Sequence, residues 1–486
     1  MAAKLRAMPL PSHKTKIVAT IGPASQSPEM LERLIRAGLN VARLNFSHGD
    51  FEGHGEVISR IRAAAKAAGR RVAIMADLPG PKMRLGTISP EPILLEPGAP
   101  FILTTEDVTG DSRRASMTFE ALPRVVKTGD RLFLNDGLSQ LIVDRVEGSD
   151  VHCTVAVGGE LRSRKGLNLP RIALGISAFT EHDRKCLAFA LERGVDAVSQ
   201  SFVESAADIE KVRAAARELG HNPFVIAKIE RVESVERFDE ILAASDGIMI
   251  ARGDLGVEIP IEEIAILQKR LIAKANLAGK AVITATQMLE SMTATRLPTR
   301  AETTDVANAI LDGTDCVMLS GESAIGKYPE ESVGMLARIA AYTEVNRCGD
   351  FLSFQRQKLG PAASEPDLTA RFLESALEAV PCDAIATPTH SGTTARTVAR
   401  FRPTVWTIAF TTHPDTAQNL AFTYGVFPVD ISTYPEEWDK TVWETLSGLG
   451  MAARHALLIT GPSEQHPDAN RRLEFLAFPH GGVETS

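Results

Sequence analysis

Lys228 and Glu230 are the first pair of side chains whose types and spacing suit chemistry. They stand two residues apart in the run Phe224–Glu230, so both side chains leave the same face of an extended strand. A plain ion pair is the more ordinary interpretation of an isolated Lys-x-Glu. In the catalytic alternative, the ammonium neutralises charge on a transferring phosphoryl group, beside a metal ion that the carboxylate helps to hold.

Gly253 and Asp254 form a second candidate feature, within the segment Ala251–Gly256. This segment runs from an apolar stretch into a helical period, and backbone amides at the start of a helix bind anions. Glycine also lets a ligand approach the backbone closely. Asp254 would either cap this helix or, with Glu230, hold Mg²⁺, which takes one or two carboxylates plus water and substrate oxygens. The spacing alone favours neither interpretation.

Further polar side chains follow other apolar runs, at or near the point where each run ends. They are cations, carboxylates, amides and hydroxyls: Arg43, Asn45, Ser47, His48, Asp77, Arg252, Thr284, Thr286, Ser320 and Glu322. If the fold brings such groups together, they suit an anionic, phosphate-bearing substrate and a hard metal ion.

The elements that carry these residues are eight short runs, most of them separated by segments of helical period. The runs are Lys16–Pro23, Val41–Ser47, Arg71–Pro79, Val195–Phe202, Phe224–Glu230, Gly247–Asp254, Ala281–Gln287 and Cys316–Glu322. Eight strand–helix units predict an α/β fold, a (β/α)₈ TIM barrel, with an open doubly wound sheet as the alternative. In a barrel the C-terminal ends of the strands meet at one mouth, so the polar residues would converge there.

Interruptions of this rhythm predict the domain organisation. Between Arg84 and Ser177 the helical period gives way to short alternating runs and turns such as Asn135–Gly137, and Gly360–Asp367 is rich in Pro, Ala and Ser. We therefore predict five regions: an N-terminal extension (1–13), a catalytic barrel (14–84 and 177–350), an inserted small all-β domain (85–176), a linker (351–367) and a C-terminal α/β domain (368–486).

Composition excludes several classes of protein. The 486 residues include 53 Lys and Arg against 61 Asp and Glu, a net charge of −8 that argues against a general nucleic-acid binder. No apolar run is long enough to span a membrane, and Met1–His13 has no signal-peptide pattern. The five cysteines are scattered, without a Cys-x-x-Cys pair. We expect a cytoplasmic protein that contacts neither nucleic acid nor membrane.

Eight sequence blocks together resemble the pyruvate kinase family. Ile248–Pro260 (IMIARGDLGVEIP) is similar to the active-site signature of that family, and seven more blocks occur in the family's order. They are Lys16–Ser25, Ala42–Gly49, Lys165–Pro170, Ala227–Glu230, Ala285–Met292, Pro298–Asp315 and Met318–Ser323. The resemblance implies a glycolytic, Mg²⁺-dependent kinase that makes pyruvate and ATP from phosphoenolpyruvate and ADP. Mn²⁺ is the alternative ion, and a homotetramer is the implied assembly.

The same resemblance implies a role for each matching residue. Lys228 would stabilise the phosphoryl group in flight, Arg43 would contact it, and Glu230 and Asp254 would hold the metal. The backbone of Gly253 and Asp254 would receive the substrate carboxylate. Thr286 would lie beside the enolate carbon, where either its hydroxyl or a water chain supplies a proton. The nucleotide-binding positions are Asn45, Phe46, Ser47, His48, Arg84 and Lys165. Lys165 lies at the return from the inserted domain, which the resemblance implies is a small β-barrel used as a lid, and the C-terminal α/β domain would be regulatory.

The resemblance also bears on monovalent cations. K⁺-dependent members of the family use the positions of Asn45, Ser47 and Asp77 with the carbonyl of the next residue, here Leu78. They carry Thr where this chain has Leu78 and Glu where it has Lys82. In the family a Lys at the second position goes with K⁺-independent activity, so we expect K⁺ not to be required. If Lys82 instead points to solvent, the K⁺ site stays intact.

A loop in the C-terminal region resembles the family's phosphate-holding loop for allosteric effectors. It contains Ser391, Gly392, Thr393 and Thr394 at the start of a predicted helix, which suits either a phosphorylated metabolite or a capped turn without a ligand. Leu457–Asn470 lacks the Gly-rich loop that usually completes a fructose-1,6-bisphosphate pocket. We therefore expect insensitivity to that sugar phosphate.

Three other functions compete with the kinase. A metal-dependent lyase or aldolase acting on phosphoenolpyruvate or pyruvate would use Glu and Asp at strand ends, but it would need neither a nucleotide site nor a lid. A barrel that has lost activity would not keep the expected residue type at every catalytic position. A non-enzymatic effector-binding protein would have little use for Lys228, Glu230 and Asp254 together.

Overall fold

The computed structural model of the protein describes most of the chain. The described residues are 10–81, 83–135, 137–172, 174–347, 372–373, 375–377, 379–461 and 472–478. The predicted linker at 351–367 and the position of Lys82 lie outside them. None of the described helices is both long enough and apolar enough to cross a membrane.

The first part of the chain forms strand–helix units as predicted. Its elements are β1 (Lys16–Thr20), α1 (Pro28–Ala37), β2 (Val41–Asn45), α2 (Phe51–Ala68) and β3 (Ala73–Leu78). Helix α1 begins at the predicted cap, because the Ser27 hydroxyl accepts a hydrogen bond from the Met30 N–H at 3.2 Å. It ends at Gly38, whose φ of 127° is rarely adopted by residues with a side chain.

The elements between β3 and the next barrel helix form a separate unit made mostly of strands. Its elements are β4 (Ile93–Leu95), β5 (Pro100–Thr104), β6 (Arg114–Ser116), α3 (Leu122–Val125), β7 (Arg131–Leu134), β8 (Ser139–Glu147), β9 (Asp150–Val157), β10 (Gly159–Leu161) and β11 (Leu167–Asn168). Six of these strands form one sheet in the order β11-β7-β8-β9-β5-β6, and β10 pairs with β4. The unit has its own hydrophobic core, which includes Phe101, Leu132 and Leu141. We call this unit the lid.

The chain then returns to the barrel. The elements are α4 (Glu181–Glu192), β12 (Ala197–Gln200), α5 (Ala206–Glu218), β13 (Phe224–Ile229), α6 (Val232–Glu236), α7 (Phe238–Ala244), β14 (Gly247–Ala251), α8 (Arg252–Glu258), α9 (Ile264–Leu277), β15 (Ala281–Ala285), α10 (Arg300–Leu311), β16 (Cys316–Leu319), α11 (Gly321–Ala324) and α12 (Pro329–Val345). Short 3₁₀ turns lie at Ile261–Glu263 and Glu290–Thr293.

Eight parallel strands of the described chain close into a barrel. Their order is β1-β16-β15-β14-β13-β12-β3-β2, and β1 pairs with both β16 and β2, so the sheet has no free edge. This confirms the predicted (β/α)₈ barrel and excludes the open sheet. One layer of apolar side chains lies between strands and helices, and a second fills the barrel interior, including Val18, Met75 and Met249.

The C-terminal region is an α/β unit, as predicted. Its elements are β17 (Ala384–Pro388), α13 (Thr393–Ala399), β18 (Trp406–Thr411), α14 (Pro414–Asn419), a 3₁₀ turn at Leu420–Phe422, β19 (Val426–Asp430), α15 (Trp438–Gly448), β20 (His455–Thr460) and β21 (Arg472–Ala477). The sheet order is β19-β18-β17-β20-β21, in which β21 is antiparallel to β20 and the other pairs are parallel.

This C-terminal unit is fastened to the end of the barrel opposite the strands' C-terminal ends. Phe422 is fully buried, belongs to the cluster that fills the barrel interior, and stacks on Phe224 with 5.3 Å between ring centroids. Beside it, Arg402 donates to Asp315 at 3.0 Å, with side-chain exposures of 1% and 4%. Asp315 also accepts the N–H groups of Tyr424 and Val282, at 2.9 and 3.0 Å. The far end of the barrel is therefore sealed, which leaves the mouth as its open end.

The Asp315–Arg402 pair predicts a large stability effect. Asp315→Ala should lower the free energy of unfolding by about 3–5 kcal/mol, because it leaves a buried guanidinium without its counter-charge. Urea denaturation followed by circular dichroism measures the change. Asp239→Ala is the matched control, since Asp239 pairs with Lys274 at exposures of 78% and 47% and should contribute at most about 1 kcal/mol. Equal effects of the two variants would contradict the prediction.

Candidate active site

The barrel mouth collects charged side chains from strand ends that are distant in sequence. Lys228 extends from β13, and its ammonium lies 2.6 Å from Glu230 Oε1 and 3.6 Å from Asp77 Oδ1. It also donates a 2.7 Å hydrogen bond to the Ser201 hydroxyl. The side chains of Lys228 and Glu230 thus share a face, as the spacing predicted. Lys228 and Glu230 do form an ion pair, and this pair is one part of a larger buried network.

Asp77, at the end of β3, joins the two cations of this network. Arg43 on β2 donates to Asp77 Oδ2 through Nε at 2.9 Å and through Nη2 as well. The other oxygen, Oδ1, accepts the Ser199 hydroxyl at 2.7 Å and faces Lys228. Arg43, Asp77 and Lys228 are 8%, 2% and 9% exposed. Buried charges of this kind are tolerated because opposite charges alternate and each is hydrogen-bonded.

Burial and charge pairing act in opposite directions on the pKa values of this network. Burial favours the neutral form of Lys228, but Asp77, Glu230 and Asp254 outweigh it, so the pKa of the ammonium is raised above its ordinary value. Burial likewise opposes ionisation of Asp77, yet Lys228 and Arg43 hold the pKa of that carboxyl below its usual range. Lys228 is therefore a fixed positive charge at neutral pH, which suits charge neutralisation rather than proton transfer.

Glu230 and Asp254 have the chemistry of a magnesium site. Glu230 is 4% exposed, and its second oxygen, Oε2, accepts the Phe202 N–H at 2.8 Å. Asp254 is exposed and is the third residue of α8, so it is not the cap of that helix. Two carboxylates with room for water and substrate oxygens match what Mg²⁺ takes from a protein. The described residues contain no cluster of three or more His, Cys, Asp or Glu arranged for a metal, so a closed structural site is not formed there.

Thr286 and Gly253 meet at the start of α8. The Gly253 N–H donates to Thr286 Oγ1 at 2.7 Å, while that hydroxyl donates to the Ala285 carbonyl at 2.6 Å. Thr286 and the residue after it, Gln287, have φ values of 70° and 54°, which are strained for residues with side chains. The strained turn places the threonine hydroxyl against the amide to which the family resemblance gives the substrate carboxylate.

Three strand-end residues that we expected to converge on the mouth serve the scaffold instead. Arg252 donates to Asp305 at 2.7 Å and to the Thr286 carbonyl at 2.8 Å, which fastens the strained turn. Thr284 is buried and donates to Thr314 Oγ1 at 3.0 Å. Glu322 is fully buried and accepts the N–H groups of Leu289 and Ser320.

The residues assigned to the nucleotide lie on two sides of the mouth. Asn45 is the last residue of β2, and its Oδ1 accepts the Ser47 N–H at 3.1 Å. His48 is exposed. Phe46 is 5% exposed, and its ring stacks on His54 with centroids 4.3 Å apart, so the ring is not open to a ligand.

Arg84 and Lys165 lie together at the base of the lid. Leu85, the residue after Arg84, donates its N–H to the Lys165 carbonyl at 2.9 Å, and Arg84 forms a backbone bridge with Gly166. Both side chains are half-buried. The two segments that connect the lid to the barrel therefore bring the backbones of Arg84 and Lys165 close together.

The end of β12 also belongs to the site, although we predicted no site residue there. Ser199, Ser201 and Phe202 contact Asp77, Lys228 and Glu230, respectively. The signal was present in Ser199-Gln200-Ser201, where two hydroxyls alternate at the C-terminal end of an apolar run. Serine is common at strand ends, so only the contacts identify these residues as part of the site.

Glu258, at the C-terminal end of α8, is a buried carboxyl close to this site. It lines a cleft of about 650 Å³ between the lid and the barrel, and its Oε2 has no hydrogen-bond partner among the described residues. Burial raises its pKa from 4.5 to about 7, although the Arg231 guanidinium opposes the shift. Arg231 also pairs with Glu204 at 2.7 Å and with Glu233 at 3.2 Å. Carboxyl groups outnumber cations in this cluster.

The effector loop predicted in the C-terminal unit is a turn at the start of α13. The Ser391 and Thr393 hydroxyls are 2.8 Å apart, and the Gly392 N–H donates to Thr389 Oγ1 at 3.0 Å. Gly392 has a φ of 81°, and Thr394 follows in the first turn. Whether a phosphorylated metabolite binds there stays a prediction. Residues 462–470 of the segment Leu457–Asn470 lie outside the described residues, so fructose-1,6-bisphosphate insensitivity also stays a prediction.

Comparison with known proteins agrees with this geometry. The family model described as "Pyruvate kinase, barrel domain" matches residues 12–333, and "Pyruvate kinase, alpha/beta domain" matches residues 367–461. The chain belongs to the pyruvate kinase family. Pyruvate kinases are phosphotransferases, and the resemblance found in the sequence is confirmed.

Individual pyruvate kinases are similar over most of their length. The enzyme of Thermococcus litoralis is 49% identical over 449 residues, which is 91% of this chain and 94% of that protein. The enzyme of Geobacillus stearothermophilus is 45% identical over 438 residues, covering 88% of this chain and 74% of its own. A crystal structure of a pyruvate kinase from Cryptosporidium parvum superposes with a TM-score of 0.89 at 35% identity, covering 96% of this chain and 97% of the other.

The pKa of Glu258 predicts how stability changes with pH. A raised folded-state pKa means that the folded protein keeps a proton that the unfolded chain releases, so stability is lost as pH rises from about 4.5 to about 7. Relative to Glu258→Gln, the wild type should therefore lose about 3 kcal/mol of unfolding free energy between pH 4.5 and pH 8. Urea denaturation at several pH values measures this. Glu262→Gln, at an exposed position nearby, controls for the loss of one carboxyl group. A pH-independent difference for Glu258→Gln would contradict the prediction.

Proposed function

We propose that this chain transfers the phosphoryl group of phosphoenolpyruvate to ADP, giving pyruvate and ATP, with Mg²⁺ as the required ion and Mn²⁺ as the alternative. Membership of the pyruvate kinase family supports this reaction. The observation that carries it is the buried network in which Lys228 lies between Asp77 and Glu230 while Arg43 contacts the other side of Asp77. That arrangement holds two cations at the barrel mouth, each paired with a carboxylate.

The network suits phosphoryl transfer because that reaction depends mainly on positioning and charge neutralisation. Lys228 and Arg43 would face the transferring group from one side. Glu230 and Asp254 would hold Mg²⁺, which supplies further neutralisation of the oxygens that gain charge. The ammonium and guanidinium are held by Asp77, so they need not reorganise during the reaction.

The remaining substrate groups have candidate partners at the start of α8. The amides of Gly253 and Asp254 would receive the carboxylate of phosphoenolpyruvate. The Thr286 hydroxyl accepts the Gly253 N–H in this structure, so substrate binding would have to compete for that hydrogen bond. After transfer, the enolate carbon takes up one proton, either from Thr286 or from a water chain. Both routes stay open.

The nucleotide would bind between the barrel and the lid. Asn45, Ser47 and His48 lie on the barrel side, together with the backbone of Phe46, while Arg84 and Lys165 lie at the base of the lid. Two half-buried cations suit the phosphates of ADP. A lid over this site would exclude water, which favours transfer to ADP over hydrolysis.

We also propose that the chain does not need K⁺. The support is that both carboxylate oxygens of Asp77, one of the side chains that the family uses for this ion, already have partners. Its two oxygens already accept hydrogen bonds from Arg43 and Ser199, and Lys228 lies 3.6 Å from Oδ1. Asn45 Oδ1 is likewise occupied by the Ser47 N–H. Lys82, which would supply the charge of the ion, lies outside the described residues.

A homotetramer, a phosphorylated-metabolite effector at Ser391–Thr394 and a cytoplasmic location complete the proposal. Membership of the family is their support. The turn at the start of α13 is compatible with a phosphate, since it presents hydroxyls and backbone amides.

The proposed reaction predicts ADP-dependent release of pyruvate in an assay coupled to lactate dehydrogenase. Lys228→Met should lower kcat by at least about 10³-fold with a much smaller change in KM, because the charge is needed mainly in the transition state. Lys269→Met, an exposed lysine on α9, is the matched control and should keep wild-type kcat. Pyruvate release that does not depend on ADP would favour a lyase, and a loss of substrate binding alone would make Lys228 structural.

The monovalent-cation proposal predicts full activity in a buffer free of K⁺ and NH₄⁺, with tetramethylammonium holding the ionic strength constant. A Lys ammonium and K⁺ within about 4 Å repel each other by about 4 kcal/mol at intermediate dielectric, so the two exclude each other. Lys82→Glu should therefore create at least partial K⁺ dependence, and Leu78 limits the gain because it also differs from the K⁺-dependent pattern. Wild-type activity that appears only after K⁺ is added would overturn the proposal.

A further inference from the structure

Phe202 has a backbone conformation that an aromatic residue rarely adopts. It follows β12 with a φ of 59°, in the left-handed region that favours glycine. A large residue stays in this region only where its surroundings hold it, and such residues cluster at functional sites. The contacts of the Phe202 N–H and of its ring explain how this conformation is held.

The strained backbone aims one N–H at the carboxylate of Glu230. The Phe202 N–H donates to Glu230 Oε2 at 2.8 Å, while Oε1 lies 2.6 Å from the Lys228 ammonium. Each oxygen of this buried carboxylate thus has a fixed partner, and the side chain is held in one orientation. Hydrogen bonds of this kind to a metal-ligating carboxylate commonly change metal affinity by 10- to 100-fold.

The Phe202 ring makes contacts on the opposite side, towards the lid. It packs against the hydrophobic cluster of the lid. It also lies against Gly80, where an added Cβ would come within 2.9 Å of the ring atom Cδ2. Gly80 precedes Pro81 at the point where the chain leaves the barrel, and its N–H is fixed by Asp183 Oδ1 at 2.9 Å. The ring is therefore wedged at the base of the lid.

We propose that Phe202 is a positioning residue for the metal site: its wedged ring keeps the backbone in the left-handed conformation, and that conformation keeps the N–H on Glu230. The inference rests on the proposed role of Glu230 as a metal ligand. The residue acts through its main chain, which is why no polar side chain marks it in the sequence. It also ties the orientation of Glu230 to the place where the lid joins the barrel.

Direct binding of Mn²⁺, followed by calorimetry or electron paramagnetic resonance without substrates, tests this proposal. Phe202→Ala removes the wedge but keeps a Cβ, so the backbone should relax and Mn²⁺ affinity should fall by about 10-fold or more. Phe202→Gly also removes the wedge, but glycine adopts positive φ freely, so its loss should be smaller than that of Ala. Phe202→Tyr keeps the ring and should bind as the wild type does.

The relative Mn²⁺ affinities of the Ala and Gly variants distinguish a positioning role from simple packing. If the ring only filled space, Gly would lose at least as much affinity as Ala, and that order would overturn the proposal. A folded Phe202→Ala protein with wild-type Mn²⁺ affinity would overturn it as well. Phe427→Ala, a half-buried phenylalanine on β19 far from the mouth, is the control and should leave affinity unchanged.

Three further outcomes decide between failure of this inference and failure of the proposed function. If Phe202→Ala does not fold, Gly80→Ala displaces the ring from the other side and should also weaken Mn²⁺ binding by several fold, whereas unchanged affinity would contradict the proposal. If the wild type itself does not bind Mn²⁺, the assignment of Glu230 and Asp254 to the metal fails, and the role of Phe202 fails with it. If the wild type binds Mn²⁺ and the Ala and Gly variants bind it as tightly as the wild type does, the proposed function stands and only this inference fails.

Discussion

Asp77 lies between two buried cations, and the arrangement of the barrel mouth depends on that contact. Arg43 and Lys228 would repel each other if they were buried side by side without an anion. The carboxylate of Asp77 binds both, and Glu230 balances Lys228 from its other side. The result is an alternation of charge across strands β2, β3 and β13. Two positive groups are thereby held at fixed positions, in a site where water screens them little.

The scaffold explains why such a network can be maintained. A closed barrel fixes the register of neighbouring strands, so Asn45 pairs with Asp77 and Asp77 pairs with Ser199 across three adjacent strands. Phe422 fills the barrel interior from the C-terminal unit, and the Arg402–Asp315 pair fastens that unit. The strained turn at Thr286 is held by Arg252. Rigid packing beneath the mouth thus holds charged side chains that would otherwise move out towards water.

Local patterns in the sequence were sufficient for the barrel and for part of the site. The strand–helix rhythm gives the eight strands, and alternation places Lys228 and Glu230 on one face. The expectation that strand-end polar residues face the mouth is wrong for Thr284, which bonds Thr314, and for Arg252, which turns to Asp305. Ser201 and Phe202 escaped notice because their importance comes from contacts with a neighbouring strand. A left-handed phenylalanine has no sequence signature at all, since tertiary packing holds it there.

The central claim is that Asp77 contributes to phosphoryl transfer by holding Lys228 in place. A double-mutant cycle of Asp77→Asn and Lys228→Met, measured as kcat for phosphoryl transfer from phosphoenolpyruvate to ADP, tests that claim most directly. The account predicts strong non-additivity: Asp77→Asn should lower kcat substantially in the wild type and have little further effect once Lys228 is methionine. Losses that simply multiply would contradict it, because Asp77 would then act independently of the lysine.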